Sequence, residues 1–326
     1  TANDGSVSKR LTMTEIDHYV VAGNPVAHSQ SPFIHAMFAQ ATGQTLRYGR
    51  LLCPIDAEGG FAREIRAFAA SRGGGNGDFD RTSADAEIGP ARGCNVTVPF
   101  KFEAYQLGVR HTERALLAQA ANVLRFDAPG AGGWLADNTD GAGLVRDIEH
   151  NAGLRLAGRR VLLIGSGGAA AGTLGPLIAA RPAAVVLCNR TPDKADALLA
   201  GHAAWAITHG VALSVAPIQQ PGTGFDVVVN ASASSLQASA PPVPPGVLRE
   251  GTLALDMMYG AAAQPFITWA ESHGAMGRDG LGMLVEQAAE AFLVWRGLRP
   301  DTTAVLEKLQ QRLAAAANGT AASTSR

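Results

Sequence analysis

The run Gly165-Ser166-Gly167-Gly168-Ala169-Ala170 follows an apolar stretch, Val161-Leu162-Leu163-Ile164, and precedes residues with helical spacing. Gly165 and Gly167 take the first two positions of a dinucleotide-binding fingerprint, and Ala170 takes the third, where alanine is allowed. The glycines permit a tight turn and close backbone approach. The helix start then offers free N–H groups and a positive dipole end to a pyrophosphate. Any strand-to-helix turn favours glycine, so the weight comes from context, above all a second strand ending at Cys188. There an NAD site usually places an acid to accept from the ribose 2′-hydroxyl. This chain instead reads Asn189-Arg190-Thr191 with Lys194 one turn later, and no acid before Asp193. Arg190 and Lys194 are suited to pair with a 2′-phosphate, which points to NADP(H).

The elements that must position this turn are legible around it. From Arg160 onward strands at 160–165, 184–188, 226–230 and 253–257 alternate with helical segments, the pattern of a parallel sheet covered on both faces. Upstream, His18–Gly23, Arg47–Cys53, Cys94–Val98, Asn122–Phe126 and Gly133–Ala136 read as strands. Helices are expected over Phe33–Gln40, with Ser31 as N-cap and Pro32 at its first position, and over Phe61–Ala70, Thr112–Ala121 and Gly141–Asn151. Helices at Met283–Leu293 and Thr302–Ala315 close the pattern, followed by a tail expected to be disordered. The loops Ser71–Gly93 and Ala238–Gly246 read as exposed, the second stiffened by four prolines.

Composition narrows the classes. With 326 residues, 47% hydrophobic, and 27 basic against 28 acidic side chains, the chain is globular and unsuited to binding a polyanion such as nucleic acid. Val161–Ala180 is uncharged over twenty residues, but it holds five glycines and a proline, so a soluble strand–turn–helix is expected rather than a membrane span. Three scattered cysteines and a polar N-terminus without an apolar signal core suit a reducing, cytoplasmic setting. The eight histidines show no metal-ligand spacing. The apolar content is compatible with a monomer or a homodimer.

Three polar clusters precede the glycine turn: His28-Ser29-Gln30-Ser31-Pro32, Asn95-Val96-Thr97-Val98-Pro99-Phe100-Lys101, and Asp137-Asn138-Thr139-Asp140-Gly141. All fall at strand ends or helix starts, where α/β proteins collect ligand groups. Taken singly, each has a plain structural reading: serines as caps, a solvated lysine, an aspartate capping a helix. Together, in this order, they resemble the shikimate dehydrogenase family. Gly23-Asn24-Pro25, the Gly165 turn, Asn189-Arg190-Thr191, Asp256-Met257-Met258-Tyr259 and Asp279-Gly280-Leu281-Gly282-Met283-Leu284 through Gln287 extend the resemblance from about Tyr19 to Leu313.

The resemblance implies two α/β domains with a cleft between them, the second a Rossmann-type doubly wound parallel sheet. Its expected limits are 1–138 for a substrate domain (1–15 disordered) and 139–282 for the NADP domain. Residues 283–315 would form helices returning to the first domain, and 316–326 a loose tail. It also implies reversible NADPH-dependent reduction of 3-dehydroshikimate to shikimate in aromatic amino-acid biosynthesis. Matching positions make Lys101 and Asp140 the catalytic pair, a coupled dyad whose proton placement the sequence leaves open. Ser29, Ser31, Thr97, Asn122, Asp140, Tyr259 and Gln287 match the substrate set. Ser29, Ser31 and Tyr259 would hold the carboxylate, the others the ring hydroxyls. Gly165, Ser166, Gly167, Gly168, Ala169, Asn189, Arg190, Thr191, Lys194, Met257, Gly280 and, more remotely, Glu113 match the cofactor set.

The chain departs from the family in three places. Asn230-Ala231-Ser232-Ala233-Ser234-Ser235 lacks the usual threonine and glycine, Lys194 replaces an arginine found in some members, and the Gly74–Arg92 loop is longer than usual. The rival readings are a quinate/shikimate dehydrogenase of broader substrate or NAD use, and a non-catalytic NADPH sensor. Arg190 and the two serines argue against the first, the Lys101–Asp140 pair against the second.

Overall fold

A computed structural model describes residues 15–55, 58–72, 77–79, 88–232, 234 and 243–323. In the first half β1 (Ile16–Gly23), α1 (Ser31–Thr42), β2 (Leu46–Leu52), α2 (Gly60–Ala70) and β3 (Ile88–Val96) are followed by α3 (Lys101–Leu107), β4 (Arg110–His111), α4 (Glu113–Ala118), β5 (Val123–Arg125) and β6 (Leu135–Asp137). The six strands form one mixed sheet in the order β2-β1-β3-β5-β6-β4. Its parallel part, β2-β1-β3, ends on the Ser29 and Thr97 loops. Val20, Ala22, Leu51, Phe61, Ile65 and Phe68 are all buried in the core under α2. Each of the two loops passes through a cis proline peptide, Asn24-Pro25 and Val98-Pro99.

α5 (Asp140–Arg146) leads through a π-helical turn at Asp147–Asn151 into β7 (Arg160–Ile164), α6 (Gly168–Ala179), β8 (Ala184–Asn189), α7 (Pro192–His209), β9 (Ala212–Pro217), β10 (Val227–Asn230), β11 (Leu253–Asp256), α8 (Gln264–Ser272) and β12 (Met276–Arg278). These strands make a fully parallel sheet, β12-β11-β10-β7-β8-β9. The strand order reverses between β7 and β10, the switch point where open α/β sheets bind nucleotides. Both faces are covered, which accounts for the unbroken apolar runs: Leu163, Val229 and Leu255 face one core, while Leu162, Val228 and Ala254 face the other. α9 (Leu281–Arg296) and α10 (Thr303–Ser323) then return to the first sheet, where Leu281, Val285, Phe292 and Leu309 bury Ile34 and Phe38 of α1.

Several local expectations differ from the structure. Ser31 is not an N-cap: Gln30 holds that position, without a side-chain cap, and Ser31 is the first residue of α1. β3 begins at Ile88 rather than Cys94 and ends at Val96, so Thr97 and Val98 leave the sheet. α4 stops at Ala118, because Gln119 turns left-handed with φ 48°. The short strands β4, β9 and β12 carry too weak an apolar alternation to be read from sequence. α10 continues to Ser323, past the Ala315 end expected, through an alanine-rich run of high helix propensity. Residues 1–14, most of the Gly74–Arg92 loop, part of the Ala238–Gly246 loop, Ala233 and Ser235 lie outside the described residues. Among the described residues no helix is long and apolar enough to cross a membrane.

Candidate functional site

Lys101 opens α3 and Asp140 opens α5, and their side chains meet: Lys101 Nζ donates to Asp140 Oδ2 at 2.6 Å. The pair is largely shielded, with side chains 13% and 7% exposed. Asp140 Oδ1 in turn accepts from Asn122 Nδ2 at 2.9 Å. Asn122 stands just before β5, where its Oδ1 accepts from the Thr139 N–H at 2.8 Å. Gln287 reaches the same point from α9, its Oε1 3.1 Å from Asn122 Nδ2 and its Nε2 donating to the Leu284 carbonyl. Asn122 Nδ2 has more acceptors around it than protons to give, so this network can re-pair when a hydroxyl enters.

The floor beneath is rigid. Asn138 Nδ2 donates to the Ala120 carbonyl, and Asn138 Oδ1 accepts from the Asp140 N–H. The adjoining Asp137 is buried and takes both Arg114 contacts at 2.7 Å, with Thr112 Oγ1 at 2.5 Å. Burial alone would push the Asp137 carboxyl up, but Arg114, Thr112 and the Asn138 N–H together hold it below its ordinary value. Thr112 also caps α4 by accepting from the Ala115 N–H.

The Ser29 and Ser31 hydroxyls lie 3.2 Å apart, and Ser29 Oγ also accepts from the Ser31 N–H. Ser31 is buried, and its hydroxyl caps no helix. Tyr259, from the loop after β11, faces the Gln30 backbone, and burial raises its phenol above the usual value. Thr97 packs against Gly23, where any side chain would collide with its methyl group. Behind them Tyr48 donates to Asn95 Oδ1 at 2.6 Å, and Asn95 Nδ2 donates to the Asn122 carbonyl.

A cavity of about 1230 Å³ opens beside this cluster. Gly165 to Ala169, Asn189, Arg190, Thr191, Lys194, Met257 and Glu113 all line it, as do Ser232 and Ser234. Gly165 has φ +112°, and a Cβ there would press on the Ala231 backbone; Gly167 meets nothing within 4 Å, leaving the turn open on the cavity side. The Ser166 hydroxyl is buried without a hydrogen-bond partner, a polar atom that the wall of the turn leaves unsatisfied. Two cations at the β8 end and an open glycine turn at a helix N-terminus suit a dinucleotide carrying a 2′-phosphate. Gly280 is not among the lining residues. It stands one layer behind, donating to the Met258 carbonyl, where a side chain would collide with the Met257 backbone. At the turn, a Cβ on Gly168 would lie 3.2 Å from Lys101 Cβ, so Lys101 packs directly against the glycine turn that lines the cavity.

Some contributors were not singled out from sequence. Arg114 and Tyr48 lie among ordinary residues, and Asn138 and Thr139 were noted only as part of the Asp137–Gly141 cluster, without a role of their own. Ser232 and Ser234 were noted only as a departure. Their hydroxyls are 2.7 Å apart, and Ser232 donates to Asn230 Oδ1, so serines rebuild the wall in place of the usual threonine.

Similarity to known proteins converges on one family. The family model for the shikimate 5′-dehydrogenase C-terminal domain matches residues 280–310. The NADP(+) shikimate dehydrogenase of Methylibium petroleiphilum is 60% identical over 294 residues, covering 90% of this chain and 94% of that one. The corresponding protein of an Acidovorax species is 54% identical over 92% of this chain and 98% of its own. Among solved structures, a shikimate 5-dehydrogenase from Thermus thermophilus in complex with shikimate superposes with a TM-score of 0.71 at 27% identity, covering 92% of this chain and all of that one. Likeness of this extent, on a chain built of two α/β sheets, places the protein in the shikimate dehydrogenase family.

Proposed function

We propose that the protein is an NADP-dependent shikimate dehydrogenase, interconverting 3-dehydroshikimate and shikimate on the route to aromatic amino acids. The observation that carries this is the 2.6 Å Lys101–Asp140 contact set against the nucleotide turn. When bound, NADPH supplies the hydride. As the substrate carbonyl becomes an alkoxide, Lys101 Nζ gives it a proton, and in the reverse direction the pair takes one from the hydroxyl. Asp140 aims Lys101, and Asn122 aims Asp140 through Oδ1. Asn122, Gln287 and Thr97 read the ring hydroxyls, while Ser29, Ser31 and Tyr259 hold the carboxylate. Gly165 to Ala169 cradle the pyrophosphate, and Asn189, Arg190, Thr191 and Lys194 hold the 2′-phosphate. Glu113 faces the same cavity from α4.

In this reading residues 1–138 form the substrate domain, to which the helices of 283–315 return, and 139–282 form the NADP domain, which contributes Asp140 and Tyr259 to the substrate. Three free, buried thiols, Cys53, Cys94 and Cys188, suit a cytoplasmic enzyme. A homodimer is checked by sedimentation. The reading itself is tested by following nicotinamide absorbance with shikimate or quinate against NADP⁺ or NAD⁺. Turnover with shikimate and NADP⁺ well above the other three pairs is expected. Comparable quinate or NAD⁺ rates would assign the broader enzyme, and NADPH binding without turnover would overturn catalysis.

A further inference from the structure

The carboxylate end of the site lacks a charge that Ser29, Ser31 and Tyr259 do not supply. All three are neutral donors, and an anion drawn out of water into neutral hydroxyls keeps much of its desolvation cost unless a cation stands near.

Arg50 stands there. It lies two residues after Tyr48 in β2, so both side chains project from the same face of the sheet. Tyr48 turns under the site, its ring stacked on His35 and its hydroxyl on Asn95. Arg50 is one step nearer the end of the strand, and its Nη2 donates to the Ser29 carbonyl at 2.7 Å. Its Nε is buried with no hydrogen-bond partner. Partly buried arginines elsewhere are neutralised: Arg114 by Asp137, Arg278 by Asp147, Arg299 by Glu286 and Glu290. Among the described residues no carboxylate pairs with Arg50. Its charge reaches the Tyr48 and Tyr259 phenols, favouring their ionised forms against the larger opposing effect of burial. The backbone is fixed as well, because Arg50 N–H and C=O are both bonded to Asp78. An unpaired, anchored guanidinium beside three hydroxyls is a costly arrangement for the protein alone, and an incoming anion relieves it.

We propose that Arg50 provides the counter-charge for the substrate carboxylate, so that the site recognises an anion and not merely a hydrogen-bond acceptor. This rests on the assignment of Ser29, Ser31 and Tyr259 to the carboxylate in the proposed function. Arg50→Lys keeps the charge, whereas Arg50→Gln keeps only a neutral amide on a shorter side chain, so the uncharged ester serves as the control for any loss of support to Ser29. The full-length enzyme and both variants would be assayed with NADP⁺ and either shikimate or its uncharged methyl ester. In Arg50→Gln the KM for shikimate should rise about tenfold to a hundredfold, with kcat within a few-fold and the KM for the ester nearly unchanged. Arg50→Lys should stay within a few-fold of the wild type on both. Added salt should raise the KM for shikimate in the wild type and scarcely move it in Arg50→Gln. Equal KM values for the two variants, or an equal rise for acid and ester, would overturn the proposal and leave Arg50 as a prop for Ser29. A wild-type enzyme inactive on shikimate would instead overturn the function, and the Arg50 assignment with it.

Discussion

At the scale of single residues, proton transfer and cofactor choice are separable. Lys101→Ala removes the proposed proton donor but leaves the cavity wall that Gly165 to Ala169 and Arg190 provide. It should lower kcat by ~10²–10⁴ while NADPH still binds, as read by turnover beside a fluorescence titration. Arg190→Ala should weaken NADP⁺ by about tenfold to a hundredfold and leave NAD⁺ almost unaffected, because only the former carries the 2′-phosphate. Isothermal titration with both cofactors checks this. These residues were legible because each follows a strand or a glycine turn that sequence patterning locates. The scaffold behind them was not. Asp137 was noted only as the head of its polar cluster, and only the pairing of β5, β6 and β4 shows Arg114 and Thr112 closing on it. Ser31 was misread as a cap for a related reason, since Ser-Pro before a helix has two registers and the structure takes the one that starts the helix at Ser31.

At the scale of elements, the buried Asp137–Arg114 pair ties β6 to α4, and Arg114 also reaches Glu290 of α9. Arg114→Ala would leave a buried carboxylate unpaired and should cost ~3–5 kcal/mol in urea unfolding at neutral pH. The Asp137 carboxyl lies below its ordinary value of 3.8 in the folded protein. Its stabilisation is therefore full above that value and is lost as pH falls through the lower folded value. Asp137→Asn should flatten the stability profile in that acid window. α5 and α9 meet at glycines: a side chain on Gly143 would strike Gln287, and one on Gly282 would strike Asp147. The strong elements of the nucleotide half were readable from their apolar runs. β4, with only Arg110 and His111, exists by pairing with β6, and no local pattern announces a strand held by its neighbour alone.

At the scale of the whole molecule, three buried histidines set the acid response. Burial lowers His18, His35 and His202, and His35, fully enclosed, falls to about 3 despite the opposing effect of Asn95. In the unfolded chain these rings take up protons below their ordinary value of 6.5, and in the folded chain only at lower pH, so stability should decline as pH drops below that point. Thermal melts from pH 7 to 4 should show this loss before the carboxylates titrate, and His35→Phe should shrink it. The nucleotide sheet was legible from its strand–helix alternation after Arg160, whereas the two-domain plan was implied by resemblance, since the mixed first sheet leaves no regular rhythm. The return of α9 and α10 onto α1 was implied by resemblance, and the buried Ile34–Phe292–Leu309 cluster supplies its physical cause. That return has a consequence for synthesis on the ribosome. Ile34 and Phe38 emerge early, yet the helices that cover them are made last, after the entire nucleotide sheet. At ~5–20 residues per second, the nascent chain carries that greasy face uncovered for on the order of ten to fifty seconds. The second sheet, contiguous in the chain, can close on its own within that interval, so the half that is translated first is the half that matures last.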